Sequence, residues 1–114
     1  MYVNEKVVTL MEQTLKIASD QTRLKILFTL LDEIDLPNHE VKKCVNDIAF
    51  QVGASQSLVS HQLKVLKDGG FVKTQKEGTK VYYSLLDDHV REIVRITYEH
   101  VLEKLDYGEE ELHD

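Results

Sequence analysis

Four side chains near the C-terminus are of types that hold metal ions: Asp87, His89, His100 and Glu103. Imidazole nitrogens and carboxylate oxygens are donors that a four-coordinate divalent cation accepts. Their pattern is Asp-x-His-x10-His-x2-Glu. In a helix, the step from His89 to His100 falls within roughly 20° of three full turns, so both histidines share a face. The same step separates them by about 16 Å along the axis. Metal–ligand bonds of about 2 Å cannot span that distance, so one ion cannot take both from one chain.

Two antiparallel copies of the helix remove the difficulty. His89 and His100 are symmetric about the midpoint of residues 94 and 95, and Asp87 and Glu103 are symmetric about residue 95. Crossing there sets His89 beside the partner's His100 and Asp87 beside the partner's Glu103. Two-fold symmetry then gives two identical sites, each of two nitrogens and two oxygens. Ile93 and Ile96 fall between the sites and would pack across the dyad. Val90, Val94, Thr97, Val101 and Leu105 form a second stripe, expected to face the chain's own core and first helix. The donor set predicts Zn(II), with Co(II) or Cd(II) as alternatives, and its lack of thiolate argues against Cu(I). Four ligands leave no open coordination position, and the chain lacks a nucleophile motif or a Gly-rich phosphate loop. An enzyme with a small-molecule substrate is therefore not expected.

A second set of residues has the spacing of a helix-turn-helix. Ala49, Gly53 and Val59 supply a small residue where two helices cross, a glycine for a positive φ, and an apolar lock. The second helix of the pair then carries Gln56, Ser57, Ser60 and His61 on one side, while Leu58, Val59, Leu63 and Leu66 point elsewhere. Short polar side chains at the start of such a helix suit base edges in the major groove. Lys64 and Lys67 follow, and Lys73, Lys76 and Lys80 decorate the next element, where they could meet phosphates.

These residues need elements to position them. Apolar periodicity predicts a helix over residues 3–18 and another from a Ser19 or Asp20 cap to about Asp32. The stretch Glu33 to Lys43 is polar, contains Pro37, and is expected to be a loop. Helices follow over about 45–52 and 56–68, the second ended by Gly69-Gly70. Phe71 to Lys76 and Lys80 to Leu85 are rich in Val, Tyr and Thr and predict a hairpin, with Glu77-Gly78-Thr79 between the strands. A last helix is expected from Asp87-Asp88 to about Asp106. The order α-α-α-α-β-β-α makes a mainly α (α+β) winged helix-turn-helix, because a two-stranded hairpin must pack on something.

The composition agrees with one small folded domain over residues 1–114. Apolar residues make up 42% and charged residues 30%, with one proline. No apolar run approaches a membrane span, and the N-terminus lacks a signal-peptide pattern, so a cytoplasmic protein with no membrane partner is expected. Cys44 is alone, which fits a reducing compartment. It is expected to be a small buried residue, with Asp47 serving its helix locally. His39 in the loop and His113 in the tail are expected to be solvated. The net charge of −6 would argue against nucleic acid if it were spread evenly. It is not: residues 55–84 sum to +3, residues 1–54 to −2 and residues 85–114 to −7. A local basic patch can bind phosphate while the acidic remainder discourages non-specific association.

The chain resembles the ArsR/SmtB family of bacterial metal-sensing repressors over roughly residues 12–105. The resemblance rests on Asp20-Gln21-Thr22-Arg23-Leu24-Lys25-Ile26-Leu27, Cys44-Val45-Asn46-Asp47-Ile48-Ala49, Ser57 to Leu66, and Gly78 to Leu85. The last-helix pattern resembles the zinc-sensing branch. This likeness implies a homodimer on an imperfect inverted repeat of double-stranded operator DNA, released when metal binds. It assigns DNA contact to Gln56, Ser57, Ser60 and His61. Residues 1–18 and 87–106 are expected to be the dimerisation helices, and 107–114 a flexible acidic tail. It also implies a link from the free nitrogen of His100 to a backbone carbonyl near Gly69-Gly70. The family's other site, a Cys-x-Cys on the third helix, is not matched, since Asn46 stands where the second cysteine would be. A different reading keeps the metal without the regulation, with zinc as a structural staple of a dimeric interaction module.

Overall fold

A computed structural model describes residues 2–31 and 41–106. Among these residues the element order is α1 (Glu5–Ala18), α2 (Gln21–Thr29), α3 (Val45–Val52), α4 (Gln56–Asp68), β1 (Val72–Glu77), β2 (Lys80–Leu85) and α5 (Asp88–Leu105). This is the expected winged helix-turn-helix order. The expectations for His39, His113, Pro37 and the acidic tail lie outside the described residues.

Four of the five described helices start at a residue whose side chain satisfies a free amide. Asn4, Asp20, Ser55 and Asp87 accept from the backbone N–H three residues on, at 3.0–3.1 Å. Cys44 begins α3 without a side-chain cap bond. The α2 helix stops at Thr29 rather than near Asp32. Its last turn tightens there: the Leu30 N–H reaches both Ile26 and Leu27 carbonyls, and Thr29 Oγ1 donates to the Ile26 carbonyl at 2.7 Å. The α4 helix ends in a Schellman motif. Gly70, at φ +79°, donates to the Lys67 carbonyl, and Phe71 donates to the Leu66 carbonyl at 2.8 Å. Phe71 is therefore the buried residue that closes the helix end, and strand β1 begins one residue later than expected.

The hairpin register pairs Val72 with Leu85 at the base and Glu77 with Lys80 at the tip. The turn is thus two residues, Gly78-Thr79, rather than three. Gly78 at φ +64° supplies the left-handed conformation that so short a turn demands. A third, one-residue rung joins this sheet where only a loop was expected: Lys43 pairs with Tyr83 in an antiparallel bridge.

One core gathers Ile26, Leu27 and Leu30 of the α2 region, Ile48 and Ala49 of α3, and Val59, Leu63 and Leu66 of α4. Phe71, Val72, Leu85, Val90 and Val94 complete it. Only the first half of the expected second stripe on α5 belongs here. Val90 and Val94 are buried, whereas Thr97 and Val101 are exposed and Leu105 is half-buried. Tyr98, which the sequence reading passed over, packs its ring on Phe28 of α2 with centroids 5.0 Å apart. The stripe rotates because α5 meets β2 at its start and α2 further on. No residue of α1 is buried. Its Val7, Val8, Leu10, Met11 and Leu15 are exposed, as are Ile93, Ile96 and Val101 of α5.

Candidate metal centre and nucleic-acid interface

The helix-turn-helix forms as the spacing requires. Ala49 and Val59 are buried, and Gly53 caps α3 at φ +74°. Burying Val59, Leu63 and Leu66 turns the opposite side of α4 to solvent. Gln56, Ser57, Ser60, His61 and Lys64 are exposed there, within an arc of about 140° at 100° per residue. Leu58, expected to point away with Val59, Leu63 and Leu66, is exposed instead, because it lies outside their buried stripe. Lys64 Nζ lies 3.1 Å from Asp68 Oδ2 in a solvent-facing pair. Such pairs contribute about 0–1 kcal/mol, so a phosphate can displace the aspartate.

Lys76 and Lys80 are both exposed on the wing, but on opposite faces of it. Lys76 pairs with Val81 on the side that carries the buried Val72 and Leu85, and Lys80 pairs with Glu77 on the other side. Lys73 shares the face of Lys80 by the same alternation. The wing therefore presents a lysine on each of its two faces near the tip.

The four predicted metal ligands divide into two halves, as helix geometry demands. Asp87 and His89 lie at the start of α5. Asp87 Oδ1 accepts from the Val90 N–H at 3.0 Å, and Oδ2 lies 3.8 Å from His89 Nδ1. The second distance is too long for a hydrogen bond, so this oxygen and the imidazole stand side by side. The His89 side chain is 96% exposed. His100 and Glu103 lie one turn apart and exposed near the other end. His89, Ile93, Ile96, His100 and Glu103 fall within an arc of about 80°. Among the described residues no three His, Cys, Asp or Glu side chains of one chain gather closely enough to hold an ion. Each half offers one imidazole and one carboxylate, donor types that a four-coordinate divalent cation accepts.

The flank of this face is built by Arg95. Its guanidinium hydrogen-bonds Glu92 and reaches Glu99 Oε1 at 2.9 Å. The Glu92 hydrogen bond, with the charges of both glutamates, raises the guanidinium pKa above its ordinary value. One guanidinium thereby engages both carboxylates and offsets one of their two negative charges. Sequence reasoning missed this network, although the i, i+3 and i, i+4 spacings signal it. Cys44 is half-buried rather than buried, and its Sγ donates to Asp47 Oδ2 at 3.2 Å. That local contact is the role expected of Asp47.

The family described as "Bacterial regulatory protein, arsR family" matches residues 20–74. A "Cadmium resistance transcriptional regulatory protein CadC homolog" from Staphylococcus aureus is 40% identical over 93 residues, covering 82% of this chain and 71% of that protein. A "Transcriptional repressor SmtB homolog" from a Synechocystis species is 35% identical over 85 residues, covering 75% of this chain and 58% of that protein. Among solved structures, a homodimeric winged helix-turn-helix DNA-binding domain from Mycobacterium bovis superposes with a TM-score of 0.77. It is 24% identical and covers 90% of this chain and 88% of that one. At that identity the likeness concerns the fold.

Proposed function

The chain belongs to the ArsR family of bacterial regulatory proteins, and on that premise we propose that it is a metal-responsive transcriptional repressor. In this reading the metal-free homodimer binds operator DNA in the cytoplasm. Zn(II) at two intersubunit sites on α5 then lowers its affinity. The observation that carries the reading is the exposed face of α5, where two ligand pairs flank Ile93 and Ile96. Exposed aliphatic side chains between two charged ends are what an antiparallel helix seam requires. Exposed apolar residues of α1 and Val101 are further surface that a second copy would cover. No helix among the described residues is long and apolar enough to cross a membrane.

The regulatory step follows from geometry. Operator half-sites about one helical turn apart demand a fixed separation of the two α4 helices. Asp87 and His89, with the partner's His100 and Glu103, would hold Zn(II), and the bonds it would supply would tie the two α5 helices together. If that seam prefers another separation, metal weakens DNA binding and DNA weakens metal binding by the same factor. Gln56, Ser57, Ser60 and His61 read bases, and Lys64, Lys76 and Lys80 take phosphates.

The test uses fluorescence anisotropy on a duplex that the metal-free protein has selected from a random pool. Zinc should weaken binding by about 5–150-fold, the ordinary span of allosteric coupling. His89→Ala should bind the duplex as wild type does and ignore zinc. His100→Asn should lose the response if the link to the Gly69-Gly70 carbonyls transmits it. Wild-type affinity unchanged by saturating zinc would end the proposal. Chelator-dependent collapse of the dimer on gel filtration would favour the structural-staple reading instead.

A further inference from the structure

Lys43 joins three elements that the DNA-binding surface depends on. Its main chain makes both hydrogen bonds of a narrow antiparallel pair with Tyr83 of β2: Lys43 N donates to the Tyr83 carbonyl at 3.0 Å, and Tyr83 N donates back at 2.8 Å. Its ammonium donates to the Thr29 carbonyl at 2.6 Å and to Gln51 Oε1 at 2.7 Å. Thr29 is the last residue of α2, where unpaired carbonyls carry the negative end of the helix dipole. Gln51 precedes the helix-turn-helix turn by two residues. One side chain thus clasps the ends of α2 and α3 while its backbone holds the wing.

The wing needs such a fastening. On its inner face Val72 and Leu85 at the base are buried, Thr74 and Tyr83 are half-buried, and Lys76 and Val81 are exposed. Apolar packing therefore fades halfway along a two-stranded hairpin, which is weak by itself. The rung at Tyr83 lies where that packing fades. Next to it, Lys42 Nζ lies 2.8 Å from Glu77 Oε1 at the tip.

We propose that Lys43 is a positioning residue for DNA binding: it fixes the wing to the helix-turn-helix so that Lys76 and Lys80 reach phosphate. The proposal rests on the repressor reading for its DNA arm. Its ammonium is already engaged by Thr29 and Gln51, so it acts on DNA through the wing rather than by contact.

Two measurements on the metal-free full chain test this. Lys43→Met keeps the aliphatic stem and the backbone pair but removes the ammonium. Hydrogen exchange at the Tyr83 amide should quicken by roughly tenfold, with Leu63 and Leu66 of α4 unchanged. Unchanged exchange at Tyr83 overturns the proposal whether or not the protein binds DNA. If Lys43→Met does not fold, Gln51→Met, which removes one acceptor, is read in the same way. On the selected duplex, Lys43→Met should lower affinity and flatten the salt dependence, each lost phosphate contact contributing about 0.9 to the slope. Lys43→Arg should restore part of both. In a Lys76→Ala/Lys80→Ala background, Lys43→Met should change the slope no further. A further drop there would make Lys43 a direct phosphate contact and overturn the positioning role.

Discussion

Asp87 caps α5 and is also a proposed metal ligand, and substitution by alanine removes both at once. Oδ1 caps α5 through the Val90 N–H, and Oδ2 stands beside His89 as half of the proposed metal pair. The duties separate because asparagine is as good an N-cap as aspartate but a poor metal ligand. Asp87→Ala should lower zinc-free stability by about 1 kcal/mol through loss of the cap. Asp87→Asn keeps the capping oxygen and should cost less, about 0.3 kcal/mol for the lost charge at an exposed helix end. Both should lose zinc affinity alike. Urea denaturation in chelator, with zinc competition against a chromophoric chelator, measures the two effects on the same proteins. An Asp87→Asn variant that binds zinc as tightly as wild type would remove Asp87 from the ligand set. The sequence exposed the quartet because a helix makes spacing into direction. It also showed the cap, since an aspartate before a helical stripe is a start signal. It could not show that Oδ1 makes the cap while Oδ2 of the same carboxylate is left beside His89.

Two glycines hold the elements together for opposite physical reasons. Gly53 sits at φ +74° with nothing within 4 Å of where a Cβ would be, so its constraint is purely backbone. Gly69 has an ordinary φ of −84°, but a Cβ there would lie 2.6 Å from Ile17 Cδ1 and 2.9 Å from Ile17 Cγ2. Its constraint is the close approach of α1 to the end of α4. Gly53→Ala should therefore cost about 1–2 kcal/mol, and no deletion elsewhere should recover it. Gly69→Ala should cost about 1–3 kcal/mol by overpacking, and Ile17→Ala should be partly compensatory in a double-mutant cycle. Additive losses from Gly69→Ala and Ile17→Ala would mean that α1 is not pressed on α4 at this point. The turn glycine was legible, since Ala49, Gly53 and Val59 form a pattern with a mechanism. The contact of Gly69 with Ile17 was not, because they are 52 positions apart and belong to different periodicities. The Lys43 rung was hidden for a similar reason: a single bridging residue has no alternation to detect. The α5 stripe departs from its apolar periodicity at Thr97, which is exposed. Its hydroxyl instead donates to the Ile93 carbonyl at 2.6 Å while Tyr98 packs on Phe28. An 18-residue helix that touches different neighbours along its length does not keep one buried line.

At the scale of the whole molecule, the proposed sites belong to the pair of chains and not to either chain. That distinction can be measured without a structure of the dimer. In an antiparallel seam each site takes His89 from one chain and His100 from the other. A His89→Ala homodimer and a His100→Ala homodimer each lack one imidazole in both sites. In a mixed dimer the defects sort differently: one site collects both alanines, and the other collects both histidines and is whole. Equal amounts of the two variants, unfolded together and refolded, should form mixed dimers in about half of the population if pairing is random. Tight zinc binding should then return to about a quarter of the wild-type capacity, although neither variant binds zinc tightly alone. A site within one chain, or a parallel seam joining His89 to the partner's His89, predicts no recovery on mixing. Ile96→Glu supplies the control. It places a carboxylate against the partner's Ile93 near the dyad, which should shift sedimentation toward monomer and abolish the recovery, because the complete site exists only while two chains are held together.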